Sequence, residues 1–289
     1  MIAALLRAMR PKQWAKNVFL FAAIVFSLQF DNIEAWIQTG LAFAAFCCIS
    51  SSGYIFNDAL DKEADAKHPK KKFRPIASGA LPLSIAYVEM AVLFATGSAL
   101  AYIASPWVLL VAWLYFANTM SYTFYFKHLV ILDIMFIASG FLWRVVAGAV
   151  AIDVPTSPWL LTCTAFLALF LGFNKRRGEL MVVKGSETRK NLKDYTPELV
   201  AEFQAITTSG TIISYALYTV LGPHDNPWLL ITLPYVLYGI FRYIYLVTAK
   251  NEGGAPDETL LKDKPILING FLYVVTLITV LVLTEKGGI

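Results

Sequence analysis

The chain has 289 residues, of which 57% are hydrophobic and only 15% are charged, and its mean hydropathy is positive. Soluble globular domains carry about a quarter charged residues, so this composition excludes an ordinary soluble protein and indicates an integral membrane protein. Apolar stretches of about 20 residues favour membrane-spanning helices over a β-barrel. The net charge of +4 does not indicate a nucleic-acid partner, because the basic residues are grouped between the apolar stretches.

Nine candidate spans follow one another along the chain. We predict an all-α, polytopic bundle of nine transmembrane helices that forms a single domain over 1–289, since no low-complexity linker interrupts it. The first span follows several basic residues and has no convincing cleavage site, so we interpret it as a retained helix rather than a signal peptide. The predicted spans are 15–32, 35–57, 83–104, 107–126, 130–152, 158–174, 202–222, 227–248 and 265–284.

Positive charge alternates between the connections. Nearly all of the 24 Lys and Arg residues lie in the amino-terminal segment and in every second connection, and the four other connections have none. Cytoplasmic loops are enriched in Lys and Arg. We therefore predict a multi-pass protein of the cell (inner) membrane, with the amino terminus in the cytoplasm and the carboxyl terminus outside. Two long cytoplasmic connections, about 58–82 and 175–200, are expected to cap a functional site.

A pattern of aspartates marks the end of the second predicted span. On a helix that continues past the membrane surface, Asp58, Asp61 and Asp65 lie within an arc of about 60°. Asn57 flanks this stripe, whereas Glu63 points away from it. Three neighbouring carboxylates attract cations, and such oxygen ligands suit Mg²⁺, whose shell is usually completed by waters and substrate phosphates. The stripe and Asn57 are therefore candidate Mg²⁺ ligands; the alternative is a solvated helix extension paired with nearby lysines.

A basic run follows the aspartates within a dozen residues. Alone, such a run is more often a topology signal or a lipid contact. Beside a predicted Mg²⁺ site, we interpret it as a cradle for a diphosphate, with an arginine that grips phosphate bidentately. The run consists of Lys67, Lys70, Lys71, Lys72 and Arg74.

The aspartate pattern resembles that of a known family. The segment Asn57-Asp58-x-x-Asp61-x-x-x-Asp65, on the second of nine predicted helices, is similar to the first aspartate-rich motif of UbiA-type intramembrane prenyltransferases. The resemblance implies a helical bundle with a cavity that opens to the cytoplasm and binds a Mg²⁺-diphosphate.

Five further segments resemble one branch of that family, the decaprenyl-phosphate phosphoribosyltransferases. Each segment is a weak signal alone, but the set is specific to the branch. The resemblance implies transfer of phosphoribose from phosphoribosyl diphosphate to a polyprenyl phosphate, with release of diphosphate. The segments are Arg10–Asn17, Tyr122–Asp133, Ser139–Ala151, Asn174–Leu180 and Gly253–Asp263.

The end of the sixth predicted span departs from the common prenyltransferase pattern. A second aspartate-rich motif is usual there, whereas this chain has Lys175, Arg176 and Arg177, followed by Glu179. Three cations favour binding of additional phosphate over binding of more Mg²⁺. The substitution therefore favours the phosphoribosyl branch over ordinary prenyl transfer.

The fifth predicted span carries an ionic face. Asp133, Gly140 and Arg144 lie nearly in line on one side of a helix. An arginine inside a span usually faces the bundle interior or a wet cavity, so Arg144 is a candidate for substrate binding; the alternative is a buried partner for an aspartate of the second span. Lys127 is expected to reach the same cavity. Tyr122 offers a hydroxyl there, or belongs to an interfacial aromatic belt.

The amino-terminal motif and the eighth span supply the remaining candidates. Lys12 and Lys16, one helical turn apart, and Asn17 are expected to grip a substrate phosphate, unless they only anchor the chain at the interface. Arg242 is expected to point into the same mouth. Loops that cover the site are expected at Asp194-Tyr195 and Gly253-Gly254.

A mechanism follows as a hypothesis. Mg²⁺ held by Asp58 and Asp61, with Asn57 and Asp65 as further candidate ligands, neutralises the diphosphate. Positive charge for the breaking anomeric C–O bond comes from Arg74, Lys127 and the cations 175–177. A phosphate monoester is already ionised near neutral pH, so the acceptor requires no general base. The alternatives are UbiA-type transfer from a prenyl diphosphate to an aromatic or other small acceptor, a membrane transporter, and a structural or assembly protein. The sequence leaves open whether the protein is an oligomer.

Overall fold

The computed structural model describes residues 1–69, 71–182, 192, 194–222, 227–250, 259–260 and 262–285. Within these residues all regular structure is helical, and no strand is present. The α-helices are α1 (Ile2–Ala8), α2 (Ala22–Phe26), α3 (Ile33–Leu60), α4 (Lys62–Lys67), α5 (Leu83–Ala104), α6 (Pro106–Phe124), α7 (Leu132–Ala151), α8 (Pro158–Val182), α9 (Pro197–Leu221), α10 (Leu233–Ala249) and α11 (Lys264–Glu285). The 3₁₀ segments are Pro11–Phe21, Lys71–Phe73, Phe126–His128 and Pro227–Thr232.

Six helical segments of the described chain are long and apolar enough to cross a membrane. They are Ile33–Leu60, Leu83–Ala104, Leu132–Ala151, Pro158–Met181, Pro227–Ala249 and Lys264–Thr284. Two more predicted spans, 107–126 and 202–222, correspond to the helices α6 and α9. Both of these helices contain several Ser, Thr or Asn residues.

Many large apolar side chains point outward. On α11, for example, Ile268 is 60% exposed and Phe271 is 68% exposed. Such surfaces are rare on soluble monomers, but they match the hydrocarbon of a bilayer, where helices satisfy their own backbone hydrogen bonds. The protein is therefore a multi-pass helical membrane protein.

The first predicted span is not one continuous α-helix. Residues Pro11–Phe21 form a 3₁₀ segment, and only the five residues of α2 after it are α-helical. A 3₁₀ run of this length is uncommon. The segment packs closely against α7. A β-carbon built at Gly148 would lie only 2.0 Å from the carbonyl oxygen of Leu20. Glycine at that position is what allows the two backbones to come so close.

The chain forms two compact units. The first contains Met1–Phe124 and Trp143–Pro155. Its core includes Phe46, Ile49 and Tyr115, and helices α3 and α5 pack closely in it. A β-carbon at Gly97 would lie 2.9 Å from the carbonyl oxygen of Ala45. Small residues at such contacts are typical of helix packing in membranes.

The second unit contains Tyr125–Leu142 and Thr156–Ile289. Apolar side chains of α8 and α10, among them Phe170, Ile240 and Tyr243, form one part of its core. A separate apolar cluster includes Ile134, Phe173, Tyr195 and Val200. Helix α8 extends to Val182, eight residues past the predicted end of its span. The predicted cap loop 175–200 is thus wrong in its first part, because residues 175–182 are helical.

Candidate active site

The predicted aspartate stripe lies at the junction of α3 and α4. The chain bends at Asp61, but helical hydrogen bonds continue across the bend, from the Asp61 amide to the Asn57 carbonyl and from the Asp65 amide to the Asp61 carbonyl. Asp58 and Asp65 are therefore carried to the same side and are only 3% and 2% exposed. Glu63 is exposed, as its position off the stripe predicts. We call Asn57, Asp58, Asp61 and Asp65 the carboxylate cluster.

Basic side chains neutralise the buried acids of this cluster. Arg74 Nη1 lies 2.9 Å from Asp58 Oδ1 and 2.5 Å from Asp65 Oδ2. Lys71 Nζ lies 3.6 Å from Asp65 Oδ1. Arg10 Nη2 lies 2.5 Å from Asp58 Oδ1. Two members of the predicted basic run thus contact the cluster, whereas Lys67 and Lys72 are exposed and Lys70 lies outside the described residues.

Arg10 was not predicted as a site residue. It is separated from Asp58 by 48 positions, so no spacing rule connects the two. The available signal was its place at the start of the segment Arg10–Asn17, which resembles the phosphoribosyltransferase branch. Only the packing of the amino-terminal segment brings its guanidinium to the carboxylate cluster.

The cluster offers oxygen ligands suited to a divalent cation. Among the described residues, no group of three or more His, Cys, Asp or Glu side chains is arranged to hold a metal ion alone. However, a single nitrogen of Arg74 touches both Asp58 and Asp65, so the position between these carboxylates accepts positive charge. Asp61 lies between these two acids in the sequence, and its Oδ2 accepts a hydrogen bond of 3.2 Å from Asn57 Nδ2. This donor set fits Mg²⁺ that is completed by diphosphate and water, and not an all-protein cage.

Arg144 lies in a buried polar network of the first unit. Its Nε donates to Asn17 Oδ1 over 2.7 Å, and its Nη2 donates to the Tyr115 hydroxyl over 3.0 Å. The guanidinium also stands over the Tyr115 ring, 4.7 Å from the centroid. Asn17 Nδ2 in turn donates to Cys47 Sγ over 3.2 Å. Asn17 and Arg144, both predicted to bind substrate, thus tie the 3₁₀ segment to α3, α6 and α7.

The 3₁₀ conformation separates the two lysines of the amino-terminal motif. With three residues per turn, positions four apart are offset by about 120°, so Lys12 and Lys16 do not share a face as predicted for an α-helix. Lys12 is exposed and Lys16 is half-buried. Trp14 Nε1 donates to Ser51 Oγ over 3.0 Å, which fixes the segment against α3.

A second buried network lies in the second unit, around Asp133. Its Oδ2 accepts a hydrogen bond of 2.7 Å from Arg176 Nη2, and its Oδ1 accepts one of 2.8 Å from the Tyr195 hydroxyl. The Tyr195 oxygen accepts a further hydrogen bond of 2.8 Å from the Ile131 amide. Arg176 also pairs with Glu179. Asp133, Arg176 and Glu179 were predicted to bind substrate, and the structure gives them these protein partners.

The Tyr195 phenol acts as a donor at neutral pH. Burial raises its pKa well above the usual range, and donation to the Asp133 carboxylate raises the pKa further. Sequence reasoning placed Tyr195 only in a loop that covers the site. The structure shows that Tyr195 is buried in this connection and holds the start of α7.

The remaining predicted residues occupy separate positions. Arg177 Nη1 donates to Gln204 Oε1 over 2.7 Å, and Gln204 Nε2 donates to Asn174 Oδ1 over 3.0 Å. Lys175 is half-buried on α8. Lys127, in the turn Phe126–His128, and Tyr122, on α6, are also half-buried.

Arg242, which was expected to point into the mouth, forms an ion pair at the start of α11. Its Nη2 lies 2.9 Å from Asp263 Oδ2, and its Nε donates to Asp263 Oδ1 over 3.3 Å. Hydrogen bonds from Arg242 lower the pKa of Asp263. Gly253 and Gly254 lie outside the described residues.

The model of the UbiA prenyltransferase family matches residues 18–259 of this chain. The chain belongs to the UbiA prenyltransferase family. The decaprenyl-phosphate phosphoribosyltransferase of Corynebacterium glutamicum is 36% identical over 280 residues, which cover 93% of this chain and 84% of that protein. The enzyme of the same name from Mycobacterium tuberculosis is 31% identical, with 96% of this chain and 93% of that protein covered.

Solved structures confirm the UbiA fold. A UbiA homolog from Archaeoglobus fulgidus bound to DMAPP and Mg²⁺ superposes with a TM-score of 0.75 and covers 96% of this chain and 98% of that one. The same homolog bound to GPP and Mg²⁺ gives a TM-score of 0.74. Sequence identity is 16% in both cases, so these similarities show the fold alone.

Proposed function

We propose that this protein transfers the 5-phosphoribosyl group of phosphoribosyl diphosphate to a polyprenyl phosphate and releases diphosphate. The observation that carries the proposal is identity of 31–36% to decaprenyl-phosphate phosphoribosyltransferases over 93–96% of the chain. The basic residues 175–177 support it, because they replace the second acidic motif that ordinary prenyl transfer uses. Membership of a family of transferases disfavours the transporter and assembly alternatives.

The carboxylate cluster is the proposed site of the donor's diphosphate. Asp58, Asp61 and Asp65, with Asn57 beside them, would hold Mg²⁺. When bound, Mg²⁺ supplies charge neutralisation for the departing diphosphate. Arg74 already contacts Asp58 and Asp65 and has the planar fork that grips phosphate oxygens bidentately.

The proposed reaction breaks one bond and forms one. The anomeric carbon of ribose loses its oxygen bond to diphosphate, which leaves with the electron pair. An oxygen of the polyprenyl phosphate supplies the electron pair of the new bond to that carbon. No histidine is present in the carboxylate cluster, and none is needed, because the acceptor phosphate is already ionised. The protein contributes mainly position and positive charge.

The other basic residues that the sequence predicts as site residues supply further charge in this proposal. The phosphate groups of the two substrates are expected to be bound by Lys12, Lys16, Lys127, Lys175 and Arg177. Arg176 is held by Asp133 and Glu179 and is expected to position the end of α8. The proposed substrate-binding residues also include Asn17, Tyr122, Arg144 and Arg242.

The membrane arrangement belongs to the same proposal. All nine predicted segments are proposed to lie in or at the inner membrane, with the amino terminus and the carboxylate cluster on the cytoplasmic side. A polyprenyl chain is as apolar as the outward surface of the helices, so the acceptor would remain in the bilayer while its phosphate enters the site.

A donor comparison tests the proposal. Purified protein in detergent is supplied with Mg²⁺, decaprenyl phosphate and ribose-labelled phosphoribosyl diphosphate, or with labelled prenyl diphosphates and an aromatic acceptor. We expect label in a phosphorylated lipid only from the phosphoribosyl donor, with an equal amount of diphosphate released. Transfer only from the prenyl donor would establish the alternative function. The exposed acid Glu63 provides the control: Glu63→Gln is expected to stay active, and Asp58→Asn to be inactive.

A further inference from the structure

Arg10 and Arg74 are the accessible partners of two buried acids. The side chains of Asp58 and Asp65 are 4% and 3% exposed, whereas those of Arg10 and Arg74 are 27% and 26% exposed. Both guanidinium groups meet the same oxygen, Asp58 Oδ1. Each arginine therefore retains access to solvent while it neutralises a carboxylate that has almost none.

The backbone at Arg10 is bent to allow this contact. Arg10 has φ 53° and ψ 61°, a left-handed conformation that is uncommon for a residue other than glycine. Its guanidinium also stands over the ring of Tyr54, 5.1 Å from the centroid. The ring and Asp58 together hold the side chain at the carboxylate cluster.

We infer that Arg10 and Arg74 are exchangeable counter-ions of the site. They neutralise Asp58 and Asp65 while no metal is bound, and they transfer to the diphosphate when a divalent cation and diphosphate bind together. The inference rests on the proposed function only in placing a metal and a diphosphate at the carboxylate cluster. It also adds Arg10 to the donor-binding residues.

Charge balance requires such an exchange. A buried carboxylate without a counter-ion is strongly unfavourable, so the acids need cations before the donor arrives. A divalent cation alone must displace the arginines and leaves them without an anion. A divalent cation with diphosphate replaces their positive charge at the acids and gives the guanidinium groups phosphate oxygens to bind. Metal alone should therefore bind weakly, and metal with diphosphate should bind well.

Two variants separate these steps. Purified full-length protein carrying Arg10→Gln or Arg74→Gln is titrated with Mn²⁺ alone, and free Mn²⁺ is measured by electron paramagnetic resonance. We expect Mn²⁺ to bind about fivefold or more tightly than to the unmodified protein, a typical size for coupling between sites. In the presence of Mn²⁺, binding of inorganic diphosphate is expected to weaken by a similar factor. Tighter binding of Mn²⁺ together with weaker binding of diphosphate identifies exchange, because loss of a purely structural contact would weaken the binding of both.

Arg7 provides the matched control. It is exposed and lies one turn before Arg10, and its side chain donates to the carbonyl oxygen of Ala3 over 3.2 Å. Arg7→Gln thus removes the same charge from a side chain that is paired with no acid of the cluster. This variant should leave both affinities unchanged. Should a Gln variant not fold, Arg10→Lys and Arg74→Lys keep the charge but lose the planar fork, and we expect the same signs with smaller shifts.

Unchanged or weaker Mn²⁺ binding in the arginine variants would overturn the inference, as would unchanged binding of diphosphate. Neither Mn²⁺ nor inorganic diphosphate contains ribose or lipid. The binding experiment is thus independent of the donor comparison. The exchange can be observed even if no phosphoribosyl transfer occurs, and transfer can occur even if no exchange is observed.

Discussion

Removal of the Tyr195 hydroxyl tests whether the Asp133 network stabilises the second unit. In Tyr195→Phe the ring remains in its apolar cluster, but the bond to Asp133 Oδ1 and the acceptor of the Ile131 amide are both lost. A hydrogen bond to a charged group contributes about 2 kcal/mol, and a partly buried amide left without its acceptor costs about 1 kcal/mol more. We therefore expect the free energy of unfolding to fall by about 3 kcal/mol.

The measurement is equilibrium unfolding in mixed micelles, followed by circular dichroism. Tyr125→Phe is the matched control, because it removes the same atom from a side chain that is 61% exposed. We expect the control to stay within about 0.5 kcal/mol of the unmodified protein. Equal stability of the two variants would refute the reasoning, since it would mean that the buried bonds contribute nothing.

A double-mutant cycle that combines Tyr195→Phe with Asp133→Asn tests whether the loss of stability comes from the hydrogen bond between these two residues. Residues that share a buried hydrogen bond usually show coupling of about 0.5–3 kcal/mol. Additive losses would show that the bond between Tyr195 and Asp133 contributes nothing, and they would leave the lost acceptor of the Ile131 amide as the source of the effect.

Three further predictions concern the first unit and the start of α11. Asp58→Asn should lower the rate of transfer about 100-fold or more while circular dichroism remains unchanged, because it removes charge from the proposed metal site. Gly148→Ala should lower the free energy of unfolding by about 3 kcal/mol, since its new methyl group meets the backbone of the 3₁₀ segment. The Asp263 ion pair should make stability depend on pH. Because the pKa of Asp263 is lower in the folded protein, this contribution is present above about pH 4 and is lost as the pH falls through the lowered value.

Each of these predictions has a control. Asp58→Asn is compared with Glu63→Gln, and equal activities would contradict a role for the stripe. Gly40→Ala has no atom within 4 Å of the added carbon, so it should be neutral or stabilising by up to about 1 kcal/mol. In Arg242→Gln, the melting temperature should fall less as the pH is lowered into the acid range. An unchanged fall would exclude this ion pair as the source of the pH dependence.

The amino-acid sequence determined the membrane class, the helical fold and the aspartate stripe, because these follow from composition and from a periodicity of 3.6 residues. Local spacing is enough to place Asp58 and Asp65 on one side, and the bend at Asp61 does not disturb it. The end of α8 was misplaced, because a charged sequence can continue a helix beyond the apolar segment.

Partners far apart in the chain were decided by the tertiary structure alone. Arg10 meets Asp58 across 48 positions, Tyr195 meets Asp133 across 62, and Arg144 meets Asn17 across 127. No periodicity links such residues, since their approach depends on how the helices and the 3₁₀ segment pack. The buried charges are therefore recognisable from sequence, but the groups that neutralise them become visible only once the chain is folded.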